Sequence, residues 1–249
     1  MKDFKSLLVA VEPDHLPPPG SALPPELASQ LEGAARLAAH SGCGVTVMCV
    51  APEGSGADDL VAEALHARLV EHVVPVFEGH DVALRVVHGR PFLEIIRQVL
   101  RAGHDILALG ARLGRPGAEH VVGSTAIQLI RKCPCPVWVA SRRTKPIGPR
   151  VVLSAVALHE STRTILELSA SLVALRGGEW HVLHVPEYVH EGGMRLRGTP
   201  ADEIQAYEKS CRDEAFASIH ALADPLAAET GVTPKLWMAE GIAHEQIAE

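Results

Sequence analysis

Aromatic side chains are scarce, at 4% of the 249 residues, and long apolar runs are missing. No stretch reaches the ~18 consecutive apolar residues of a membrane-spanning helix, so a membrane is not an expected partner. A basic excess is missing too: 23 Lys and Arg stand against 30 Asp and Glu, a formal net charge of -7. Nucleic-acid-binding faces are usually basic, so nucleic acid is not an expected partner either. The five cysteines, Cys43, Cys49, Cys133, Cys135 and Cys211, show no repeated spacing. They read as free thiols of a reducing compartment, and Cys133-Pro134-Cys135 lacks the second pair that a zinc knuckle requires. The start, MKDFKSLLVAVEPD, has no small-residue cleavage site after its apolar run. It reads as a first strand and not as a signal peptide, which makes the cytoplasm the expected location.

Catalytic signatures are also missing. The chain has no G-x-S-x-G, no Walker A lysine and no G-x-G-x-x-G. His-Glu occurs at His159, His190 and His244, without the second histidine of a zinc protease helix. An enzyme is therefore not expected, nor a metal site. His88, His104 and His120 fall near strand ends, where a cleft would form, but scattered surface or core histidines are the simpler reading. His181 and His184, three apart on a strand, point to opposite faces.

What is present is apolar patterning: 47% of residues are hydrophobic and the mean hydropathy is +0.13. KSLLVAV (Lys5 to Val11) is a continuous apolar run of strand length. Leu27, Leu31, Ala34, Ala35 and Ala38 then recur at helical spacing up to a stop at Gly42. GVTVMCV (Gly44 to Val50) gives a second strand. A helix is expected from Ala57 to Val76, with Leu60, Ala64, Leu65 and Leu69 on one face. VALRVVHG is a third strand, and Pro91 opens a helix that Gly103 closes. DILALGA, STAIQLIRKC and PVWVAS complete a strand, a helix and a fifth strand. Apolar strands alternating with helices specify an open, doubly wound, five-stranded parallel α/β sheet covered on both faces. Such sheets bind ligands beyond the carboxyl ends of their strands, where the strand order switches.

After the basic, Pro- and Gly-containing linker SRRTKPIGPR the pattern begins again. RVVLSAV answers KSLLVAV, SASLVALRGGEWHVLHVPE answers AARLAAHSGCGVTVMCVAPE, and TPKLWMAEGIAHEQIAE answers VALRVVHGRPFLEIIRQ. Two domains follow, 1–145 and 146–249, the second lacking counterparts of the fourth and fifth strands. A shortened second copy, or one whose sheet a partner completes, is the expectation.

The segment from Asp105 to Ser141 places a Gly-rich stretch directly after the fourth strand. Its spacing resembles the universal stress protein family in its tandem two-domain form. That family's signature runs from a glycine at the end of an apolar strand to a glycine followed by Ser or Thr. Gly110 and Gly123-Ser124 stand at its two ends, and IQLIRKCPCPVWV matches the family's last helix and strand. Leu113 occupies the place of the inner glycine, and the turn is displaced to Gly114-Arg115-Pro116-Gly117. The resemblance implies a regulatory protein whose first domain binds an adenine nucleotide, ATP or AMP, with or without Mg²⁺. It implies Val50 beside the adenine, Leu109 and Gly110 along the pocket, and Gly114, Gly117, Gly123, Ser124 and Thr125 around the phosphates. Glu12 stands where the family often has an aspartate.

Physical chemistry allows that reading. Glycine amides approach an anion without a Cβ in the way, and a helix start favours negative charge. The same residues allow another. Gly110, Gly114 and Gly117 then only turn the chain, Gly123 only admits close packing, and Ser124 only caps a helix. The protein is then a nucleotide-free stress-response scaffold that works as a homodimer or on protein partners, with PCPVWVA as the available edge. The Pro-rich stretch EPDHLPPPGSALPPE sits above the pocket in either case, as a lid or an obstruction.

Overall fold

The computed structural model describes residues 4–52, 58–110, 123–140 and 151–248. The chain divides into two compact units between Lys145 and Pro146.

The first unit runs β1 (Ser6–Val11), a 3-10 turn (Pro13–His15), α1 (Pro25–Ser41), β2 (Gly44–Ala51), α2 (Asp58–His72) and a second 3-10 turn (Val74–Phe77). It continues through β3 (Val82–His88), α3 (Pro91–Ala102), β4 (Ile106–Gly110), α4 (Ser124–Lys132) and β5 (Val137–Ala140). The five strands are parallel in the order β3-β2-β1-β4-β5. This is the doubly wound sheet that the apolar runs specify. β1 pairs on both sides, Val11 facing Cys49 on β2 and Ala10 facing Leu109 on β4.

Alternation along the strands feeds two cores. Leu8, Met48, Val50, Leu107 and Leu109 pack with Ile95 and Val99 of α3 and with Ala126 and Leu129 of α4. The other face takes α1, whose stripe of Leu27, Gln30, Leu31, Ala34, Leu37 and Ala38 is buried. Each fully buried leucine contributes about 1.5–3 kcal/mol over an exposed one. α1 lies close to β5 because residue 33 is glycine: a Cβ there would fall 2.6 Å from Cη2 of Trp138.

α2 departs from the sequence expectation. It ends at His72, and Leu60 is 69% exposed, as Ala64 is exposed. The buried side is Leu65, Leu69, His72 and Val73. Pro75 has no N–H to continue the helical ladder, so the chain passes into the 3-10 turn instead.

At the amino-terminal edge of the sheet, polar groups fix the β1–β4 register. The Asp105 carboxylate accepts the N–H groups of Lys5 (2.7 Å) and Ser6 (3.2 Å). His104, 5% exposed, lies between Ser6 Oγ (2.8 Å from Nδ1) and Gln98 Nε2 (3.2 Å from Nε2). An amide nitrogen only donates, so His104 Nε2 accepts and Nδ1–H donates to Ser6.

The second unit repeats the first half of this design. It runs β6 (Val151–Val156), α5 (Thr162–Arg176), β7 (Glu179–His184), α6 (Glu191–Leu196), α7 (Ala201–Thr230), β8 (Lys235–Met238) and α8 (Ala243–Ala248). Its described strands form a parallel sheet β6-β7-β8, the counterpart of β1-β2-β3. Trp180 is buried among Leu166, Ala170, Val173 and Ile219, and its indole N–H donates to Ser154 Oγ at 2.8 Å. His184 is buried with Nδ1 2.8 Å from the Val156 carbonyl, whereas His181 stacks on Trp237 on the exposed face.

Two outcomes follow. Leucine is a better helix former than glycine, so a loss in Gly33→Leu reports the clash with Trp138. The variant is expected to lose ~1–3 kcal/mol in urea unfolding followed by circular dichroism, and less in a Trp138→Leu background. Burial holds the His104 imidazole below the ordinary histidine range, so the unfolded chain binds the proton more readily. Its contribution to stability is full above the unfolded value of ~6.5 and is lost progressively as pH falls from there through the lowered folded value. The urea midpoint is therefore expected to drop more steeply between about pH 7 and about pH 5, a window that opens just above histidine's ordinary value, than in His104→Asn. Parallel profiles would contradict this.

Candidate functional site

The chain leaves β1 and β4 at the point where the strand order switches, and a cavity of about 400 Å³ opens there. That size is within the range of small-ligand pockets, roughly 300–1,000 Å³. Its wall has two characters. Ala10, Met48, Val50, Ile95 and Leu109 make an apolar side from the strands and α3. Glu12, Asp14, His15, Arg90, Ser124 and Thr125 supply polar and charged groups around it.

Of the residues singled out in the sequence, Glu12, Val50, Leu109, Gly110, Gly123, Ser124 and Thr125 all line this one cavity. Gly114 and Gly117 lie outside the described residues, as do Leu113 and His120. His88 sits on β3, and its Nε2 is buried. His104 is engaged at the opposite end of the sheet.

α4 starts at the cavity. Gly123 is its N-cap and Ser124 its first residue, so the expectation that Ser124 might only cap the helix is corrected: no side chain caps it. The first bond of the helical ladder runs from Ile127 N–H to the Gly123 carbonyl at 3.0 Å. The amides of Ser124, Thr125 and Ala126 precede that bond and take no part in the ladder. They present donors and the positive end of the helix dipole to the cavity.

Gly110 has a different cause from the one its place in a Gly-rich stretch suggests. A Cβ on it would fall 2.7 Å from Gln30 Oε1. Gln30 is 3% exposed on α1, and its Nε2 donates to the Ala10 carbonyl at 2.9 Å. One amide thus bridges the ends of β1 and β4 and forms part of the cavity wall. Sequence reasoning missed Gln30, though a polar residue inside an apolar helical stripe was the available signal. It also missed Arg90, the N-cap of α3, which lines the cavity from the β3 side.

The Pro-rich stretch is a wall and not a plug. Leu16 is buried at 3% exposure. Glu71 Oε1 accepts the Gly20 N–H at 2.6 Å, and the His72 ring bonds the Pro18 carbonyl at 3.3 Å. These contacts hold the stretch against α2 and leave the cavity open. His15 Nε2 lies 3.8 Å from Glu12 Oε2. Burial, helped by Asp14, pushes the Cys49 thiol on β2 up to about 12, which holds it in the unreactive protonated form.

The sequence model of the universal stress protein family matches residues 24–141, which span α1 to the end of β5. The chain carries a universal stress protein domain. It is 34% identical over 96 residues to the universal stress protein E of Photorhabdus laumondii, a match covering 38% of this chain and 30% of that protein. It is 29% identical over 153 residues to the universal stress protein E of Escherichia coli K12, covering 58% of this chain and 46% of that protein. The chain therefore spans less than half the length of these relatives. Among solved structures, a universal stress protein from Archaeoglobus fulgidus superposes with a TM-score of 0.61 at 17% identity, covering 97% of this chain and 80% of that one. A putative universal stress protein from Pseudomonas aeruginosa gives 0.60 at 19% identity, covering 98% and 77%. These two likenesses show a shared fold. No described helix of the chain is long and apolar enough to cross a membrane, and no group of three or more metal-ligating side chains occurs among the described residues.

If Gly110 serves the Gln30 bridge, Gly110→Ala pushes the amide off the Ala10 carbonyl and costs about 1 kcal/mol. A double-mutant cycle with Gln30→Ala is expected to be non-additive in urea unfolding, because both changes break the same bond. Additive losses would separate the two residues.

Proposed function

We propose that the first unit binds an adenine nucleotide, ATP or AMP, and that the chain acts as a regulatory universal stress protein and not as an enzyme. The carrying observation is the cavity at the strand switch, apolar on one side and met on the other by the first-turn amides of α4, which take no part in its helical ladder. The apolar side suits a base, and Val50, next to the last residue of β2, lines it. The first turn of α4 and Arg90 suit phosphate, and Glu12 suits sugar hydroxyls. Mg²⁺ would accompany a triphosphate. Regulation then works by population shift: the nucleotide favours whichever conformation binds it better.

A second reading rests on β5. It is the last strand of the sheet and has no partner on its outer side among the described residues. Pairing there with a second copy or another protein would make the chain a scaffold that needs no nucleotide.

Calorimetric titration with ATP, AMP and adenosine, with and without Mg²⁺, separates the two. Saturable binding of ATP or AMP is expected, abolished by Gly123→Val with the fold retained by circular dichroism. Arg90→Ala is expected to weaken ATP by about tenfold, roughly 1.4 kcal/mol, and adenosine much less. If neither nucleotide binds at millimolar concentration while the purified protein self-associates through β5, the scaffold reading replaces this one.

A further inference from the structure

α4 ends at Cys133, whose N–H still bonds the Leu129 carbonyl at 2.8 Å. Pro134 follows, then Cys135 and Pro136, whose carbonyl accepts the Leu107 N–H at 3.0 Å as β5 begins. Two anchored segments thus bracket a short proline-containing turn and hold the thiols together: Cys133 Sγ and Cys135 Sγ are 3.5 Å apart. Both cysteines are half-buried, whereas Cys43 and Cys49 are 4% and 0% exposed. Neither thiol faces the nucleotide cavity, and the proposed function makes no use of them.

We propose that Cys133 and Cys135 form a reversible dithiol–disulfide site that a hydroperoxide oxidises. Cys133 is the attacking thiol. The Cys135 S–H and the Cys135 backbone N–H stabilise its thiolate, bringing its pKa down to about 7. The contact with Cys133, burial and the nearby negative charge of Cys133 and Asp105 all favour the protonated form of Cys135. Arg131 and Lys132 in the last turn of α4 are the neighbouring cations in the chain. These cations adjoin Cys133 in the chain while the Asp105 carboxylate acts on Cys135, which makes Cys133 the nucleophile and Cys135 the resolving thiol.

The step balances as follows. The Cys133 thiolate attacks one peroxide oxygen, the O–O bond breaks, and Cys133 becomes a sulfenic acid. The alkoxide or hydroxide released takes up a proton. Cys135 then attacks the sulfenyl sulfur; an S–S bond forms, and hydroxide leaves with the Cys135 proton as water. Two electrons pass from the dithiol to the peroxide. Closing 3.5 Å to a bond of about 2.05 Å needs only side-chain rotation and a small adjustment of the turn. A low-molecular-weight dithiol restores the pair by thiol–disulfide exchange.

Trypsin releases Cys133 to Arg142 as one peptide, so both thiols are read together. After reduced full-length protein is exposed to hydrogen peroxide, this peptide is expected to lose the mass of two hydrogen atoms and to regain it with dithiothreitol. Cys43 and Cys49 keep free thiols. In Cys135→Ser, which retains a hydroxyl donor beside Cys133, dimedone is expected to label Cys133. Iodoacetamide at pH 7 is expected to alkylate Cys133 more than about tenfold faster than Cys43 or Cys49. A peptide that stays reduced while other thiols oxidise overturns the proposal. So does a disulfide that forms only between chains, or dimedone labelling confined to Cys135 in Cys133→Ser.

Discussion

β1 is hydrogen-bonded on both edges and covered on both faces, and everything else in the first unit follows from that enclosure. Leu7, Leu8 and Val9 at its centre are all fully buried, and its polar residue, Ser6, stands at the amino-terminal end where it bonds His104. The chain must leave its end for one face, through α1, while the neighbouring β4 sends α4 over the other. Trp138 meets Gly33 of α1, whereas Val137 and Val139 beside it pack in the core shared with α3 and α4. The two helices diverge over opposite faces, and the gap between their departures is the cavity. The pocket is thus a result of topology before any ligand enters. The lining residues then decide what it accepts.

The architecture was legible because it is written in two periods that a reader can count. Continuous apolar runs marked β1, β2 and β4, and Pro91 with Gly103 bounded α3 almost to the residue. The internal repeat was legible for the same reason. The missed features are those in which a weak local pattern is overruled by packing. Leu60 fits a helical stripe, but α2 turns its carboxyl-terminal half to the sheet. α7 is thirty residues long yet buries only Ile204, Ala215, Ile219 and Ala223, a stripe too thin to stand out. Its exposed face is held by pairs one turn apart such as Lys209 with Asp213 and His220 with Asp224, which carry no apolar signal.

The site was legible in its outline and misread in its causes. Glu12, Val50, Leu109, Gly110, Gly123, Ser124 and Thr125 come from four separate parts of the chain and meet at one cavity. A spacing rule could collect them without explaining them. Gly110 lies under Gln30, a residue eighty positions away in sequence, and no motif records that contact. Arg90 was passed over because an arginine before a proline reads as a helix boundary, which it also is.

The meeting of Gly33 with Trp138 has a consequence for how sequences of this kind can diverge. The empty space above an α1 glycine and the ring that fills it are one object divided between two positions more than a hundred residues apart. A lineage that replaces the indole with a small side chain frees position 33 to take any good helix former. One that keeps the indole is held to glycine. The constraint runs one way: an indole kept opposite any side chain larger than hydrogen would push α1 off its sheet.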